Sequence, residues 1–104
     1  MLLQTFTLEN TDKTKLIDVQ EGREYKSSHS IYARNSSAEP ANLTFTQTFQ
    51  DDEVEIFNVS LEANQTNFKQ VHNLKFDIEP NSFVSAISTR AGVVLTLLVS
   101  DHVV

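Results

Sequence analysis

LKFDIEPNSFVSAISTRAGVVLTLLV, residues Leu74 to Val99, carries the strongest strand pattern in the chain. Its first run sets Leu74, Phe76 and Ile78 against Lys75, Asp77 and Glu79, the period of two of a strand with one dry and one wet face. A second run covers Phe83 to Ser88. The last, Gly92 to Val99, is the most apolar segment of the chain. There Val93, Leu95, Leu97 and Val99 make one face, while Val94 and Leu98 share the other with Thr96. A strand apolar on both faces belongs in the middle of a sandwich or against a neighbouring subunit, so the reading is an all-β core with a surface for assembly.

Working outward, the same grammar recurs. In Leu2 to Leu8, Phe6 and Leu8 oppose Thr5 and Thr7, which predicts an arm or an edge strand within residues 1–10. Lys15 to Val19 and Tyr25 to Arg34 read as strands, with Gly22 between them as the natural site for a positive φ. After the loop Asn35 to Pro40, Leu43, Phe45 and Phe49 face one way and Thr44, Thr46 and Thr48 the other; the branched carbon of threonine suits a hydrated pleat. Between Val54 and Leu61 the apolar parity switches from Val54 and Ile56 to Phe57, Val59 and Leu61. Such a switch predicts a bulge near Ile56 and Phe57. Phe68 and Val71 flank a short strand. Pro80 and Asn81 make a tight connection in which Asn81 tolerates the left-handed region, and Arg90, Ala91 and Gly92 are expected to close a last hairpin. The whole predicts one domain over 1–104, all-β: an antiparallel β-sandwich, jelly-roll-like, of about eight strands.

Composition narrows the chemistry. At 104 residues the folded surface should be roughly 5,900 Å², enough burial for a core without cross-links. There is no cysteine, which removes disulfide frameworks and thiolate chemistry together. The formal charge of −6 is spread evenly along the chain, so neither nucleic acid nor an anionic membrane is an expected partner. Met1 to Thr5 lacks the basic flank and long apolar run of a signal peptide, and no window reaches a membrane span. The expectation is a soluble, unprocessed chain.

The chemistry-bearing residues form no recognisable motif. His29, His72 and His102 are scattered and read as structural or surface histidines; Asp51, Asp52 and Glu53 lack the alternating ligands and glycine of a calcium loop. No nucleophile elbow is present. No catalytic residue, cofactor or metal is therefore expected, and the chain is read as a non-enzyme. The tripeptides starting at Asn35, Asn42, Asn58 and Asn64 match a glycosylation pattern by composition alone. Phe45, Phe49, Phe57, Phe76 and Phe83 fall at strand spacing and are assigned to the core.

Several pieces also share a wider pattern: Glu21-Gly22-Arg23-Glu24-Tyr25, Ile31-Tyr32-Ala33-Arg34-Asn35-Ser36-Ser37, Leu74 to Ile78 running into Glu79-Pro80-Asn81-Ser82, and Val84-Ser85-Ala86-Ile87-Ser88 followed by Gly92-Val93-Val94-Leu95. Over about residues 14–100 this order resembles the small β-sandwich virion structural proteins of tailed bacteriophages; the departure is Asn81, where that pattern has glycine. The resemblance implies a non-enzymatic virion component made in the host cytoplasm. It would be a capsid decoration or cement protein, or else a neck, tail or baseplate subunit. It also implies a homo-oligomer, a trimer by preference, that contacts the major capsid protein or a neighbouring tail protein. Surplus apolar surface makes Leu2, Leu3, Phe6, Val94 and Leu98 the interface candidates. The rival expectation is a carbohydrate-binding or adhesive module, in which Tyr25 and Tyr32 would stack on sugars.

Overall fold

A computed structural model describes residues 2–19, 24–73 and 75–103. The expectations placed on Gly22 and on Leu74 fall outside the described residues. Among those residues the chain forms β1 (Leu2–Leu8), β2 (Thr14–Val19), β3 (Glu24–Asn35), β4 (Ala41–Phe49), β5 (Asp52–Leu61), β6 (Lys69–His72), β7 (Phe76–Ile78), β8 (Ser82–Ser88) and β9 (Val93–Val103). Pairing is antiparallel throughout. The first sheet runs β1-β9-β3-β6 with β7 also on β3, and the second runs β2-β8-β4-β5. The β6 and β7 strands follow each other along β3, opposite Ile31 to Ala33 and Lys26 to Ser28 respectively. Counted as one interrupted strand, they make two sheets of four in a jelly-roll order, which reconciles nine observed strands with the expected eight.

The β9 strand sits between β1 and β3, and its Val93, Leu95, Leu97 and Val99 are buried against the second sheet. Facing them are Ile17, Val19, Leu43, Phe45, Val84 and Ala86. Solvent-accessible surface is 6085 Å², close to the area that length alone implied. Along the open side a ring ladder seals the gap between the sheets: Phe45 stacks on Phe57 at 4.4 Å, Phe57 on His72 at 4.4 Å, and Phe76 meets His72 edge-on at 5.5 Å. His72 is thus a structural member of the core wall.

Two details of the reading hold at residue level. Between the pairs Phe45↔Phe57 and Thr46↔Glu55, Ile56 is left without a partner, so the bulge lies where the parity switched. Asn81 has φ 62, the left-handed value it was expected to tolerate, and Gly92 has φ 97. Two readings need correction. Arg90-Ala91-Gly92 does not close a hairpin, because β8 belongs to the second sheet and β9 to the first; the turn carries the chain across the sandwich. Nor are Phe83 and Phe49 core residues. Val84, Ala86 and Ser88 take the inward side of β8, which turns Phe83 outward beneath the Lys15 ammonium at 4.1 Å, and Phe49 lies exposed at the end of β4.

Candidate interaction surface

The outer face of the first sheet follows from strand parity. With Leu95 and Leu97 turned inward, β9 presents Val94, Thr96 and Leu98 outward. The register then places Leu3 beside Leu98, and Thr5 and Tyr32 on either side of Thr96. Phe68, just ahead of β6, rises at the far side with its ring 5.3 Å from the Arg34 guanidinium. Leu3, Thr5, Tyr32, Phe68 and Thr96 line an open trough of about 460 Å³. The Thr5 and Thr96 hydroxyls lie 3.4 Å apart across its floor. Leu3 is 62% exposed and Phe68 44%, so the rim of the trough is apolar and wet. That is costly surface for a small domain unless something covers it.

The candidates from the sequence divide accordingly. Leu3 and Tyr32 line the trough, and Val94 and Leu98 lie half-buried on the same outer face. Leu2 stands opposite Val99 and is exposed at the rim of the sandwich; Phe6 stands opposite Leu95 and packs inward on the core. Tyr25 is about 23 Å from Tyr32 along β3, at roughly 3.3 Å per residue. Its ring stacks on His102 at 4.7 Å, so the two tyrosines do not share one site. Phe68 and Thr96 were not singled out in advance. The available signal for Phe68 was its isolation, a lone aromatic in the polar stretch between Glu62 and Gln70.

A second, polar cluster lies nearer the other end of β9. The register shift between Ser28 and Ser30 leaves His29 bulged, and its Nε2 is 2.7 Å from Ser100 Oγ, which is also 2.9 Å from His102 Nε2. Nearby, Ser27 Oγ donates to Asp77 at 2.6 Å. One hydroxyl shared by two rings is satisfied when it donates to one nitrogen and accepts from the other, so the cluster fastens β9 to β3. Among the described residues no group of three or more His, Cys, Asp or Glu is placed to hold a metal ion. Glu53, at the start of β5, accepts a hydrogen bond from Lys13, and that contact holds its carboxyl below the usual range.

No family model matches the chain, and no curated protein matches it. Among solved structures it is similar to one described as the EclA C-terminal domain, a sugar-binding protein. That match has a TM-score of 0.42 and 12% identity, and covers 97% of this chain and 77% of the other.

Proposed function

We propose that this protein is a non-catalytic structural subunit that associates with copies of itself, and that its setting is a larger particle of the kind tailed phages build, as a decoration or cement protein on the shell or as a neck, tail or baseplate component. The observation that carries the reading is the apolar rim of the trough, where Leu3 and Phe68 stand in water beside half-buried Leu98 and Val94. Burying such side chains against another protein surface contributes roughly 25 cal/mol for each Å² removed from water. A specific contact needs only about 800 Å² from each partner. In a particle the gain is mechanical: every interface formed by the assembled state and not by free chains shifts the balance toward assembly.

Sedimentation equilibrium over a wide concentration range tests this. The expected result is a species heavier than the 11.7 kDa chain, shifted back toward single-chain mass by Leu3→Asp. A wild-type chain that stays at 11.7 kDa at every concentration overturns the reading.

One observation favours a second reading, a glycan-binding module. Tyr32 and Phe68 line the trough together with two hydroxyls, a ring-and-hydroxyl lining suited to a sugar face. Binding on a glycan array that disappears in Tyr32→Ala would select it over self-association.

A further inference from the structure

We infer that the copies meet edge to edge, β1 pairing antiparallel with β1 of a second chain so that two first sheets become one continuous sheet across a two-fold axis. This deepens the self-association reading above and rests on it. The sandwich treats its edges unequally. A strand at the edge of a sheet offers a row of open backbone donors and acceptors, and proteins blunt such edges with charges, bulges, proline or short length.

In this chain the other described edges are blunted. In β2, Leu16 is bulged, and Lys15 and Asp18 supply charge. In β5, Ile56 is bulged and the strand carries Asp52, Glu53 and Glu55. In β6, Val71 is passed over between the pairs of Ile31 and Tyr32, and Lys69 opens the strand; β7 is three residues long and holds Asp77. The exception is β1. Its seven residues, Leu-Leu-Gln-Thr-Phe-Thr-Leu, contain no charge, proline or glycine, and their register with β9 is unbroken from Leu2 to Leu8.

Open backbone groups in strand geometry accept another strand, and the chemistry selects which one. Two chains of charge −6 repel each other, so close approach is cheapest along a strip without charge, and β1 is that strip. A ring of three would set β1 against a different edge of its neighbour, and those edges are bulged, acidic or short. Pairing β1 with itself is isologous and has none of these conflicts. Full overlap of Leu2 to Leu8 centres the axis on Thr5, with Leu3 opposite the second copy's Thr7. Leu3, on the rim of its trough, then lies against the second copy's β1, so the pairing covers that part of the apolar rim.

Single cysteines give a direct test, since the chain has none of its own. Thr5→Cys, oxidised at concentrations where the wild type associates, should give a cross-linked dimer of twice 11.7 kDa, whereas Ile87→Cys on the outer face of the second sheet should not. Thr5→Lys, which sets two like charges face to face, should weaken the dimer at least ~10-fold. Ile87→Lys should leave it unchanged, and circular dichroism should show all variants folded. If Thr5→Lys fails to fold, Leu3→Lys at its exposed neighbouring position replaces it. A wild type that associates, with no cross-link in the Thr5→Cys variant, overturns edge pairing while self-association stands, whatever the lysine variants do, since Thr5 and Leu3 also line the trough. A monomeric wild type defeats both.

Discussion

Asn35 shows how much one buried amide can organise. Fully buried at the end of β3, its Nδ2 donates to the carbonyls of Glu39 at 2.8 Å and Glu62 at 3.0 Å, while Oδ1 accepts from Ser37 N at 3.1 Å and Ser37 Oγ at 2.7 Å. Its backbone is held as well, by Gln65 Oε1 at 2.9 Å and Gln65 N at 2.7 Å. Two loops, β3 to β4 and β5 to β6, which each cross between the sheets, are thereby fixed to one residue. Asn35→Ala removes every hydrogen bond this buried amide makes, and urea titration should register a loss of about 3 kcal/mol at constant m. Asn35→Asp, the same shape without donors, should lose a similar amount. The opposite case is Ser28, buried on the inner face of β3 opposite Val99 with a hydroxyl that meets no partner. Ser28→Ala removes that penalty and should raise stability by about 1 kcal/mol, a few degrees in the thermal midpoint. In the sequence Asn35 reads as a loop residue at the end of a strand and as a nominal glycan acceptor, but a fully buried amide with its hydrogen bonds satisfied is closed to modification. No pattern within the segment announces Glu62 and Gln65 as its partners, because they arrive from the far side of the β4-β5 hairpin.

At the scale of elements, that hairpin is the clearest local signal and also carries the plainest strain. Its strands close at Phe49↔Asp52, and the two residues between, Gln50 and Asp51, have φ 48 and 70. Positive φ at both central positions defines the turn whose preferred residues are Asn and Gly, so glutamine there is held against its preference. Gln50→Asn combined with Asp51→Gly should stabilise the domain by about 1 kcal/mol, read as an upward shift in melting temperature with unchanged far-ultraviolet dichroism. Next to it, the lowered carboxyl of Glu53 adds stability above the usual glutamate range, and the loss comes as pH falls through that lowered value. Glu53→Gln should therefore be less stable than wild type at neutral pH and converge with it in acid, as thermal melts across a pH series would record. Strand parity was legible in β4 and β9, and so was the bulge at Ile56, since alternation is a property of neighbours along the chain. Which sheet a strand joins was not. The runs β8 and β9 look like a hairpin because alternation reports the buried face and says nothing of whether a turn folds back or crosses over. Phe83 misleads for the same reason: hydrophobicity placed it inside, while the side taken by Val84 and Ala86 places it outside.

For the whole molecule, the fold and its surface answer to different forces. Burial between the sheets is short-ranged and indifferent to salt, whereas the charge of −6 acts on every other copy at a distance. That separation distinguishes an uncharged edge from a contact made by complementary charges. At low ionic strength the repulsion reaches well beyond the edge strand. At 0.1 M salt it is confined to about 10 Å, and at 1 M to about 3 Å. If copies join along Leu2 to Leu8, added salt removes the repulsion without touching the backbone pairing, and the dimer should tighten several-fold between ~0.02 and ~0.5 M NaCl. Lowering the pH toward the isoelectric point near 4.8 should act in the same direction, because carboxylates lose the charge that keeps the chains apart. Weight-average mass by sedimentation across a salt series measures this. An association that weakens as salt rises would mean that charged groups on two copies attract each other, and would place the contact on the acidic and basic edges of β2 and β5 instead of on β1.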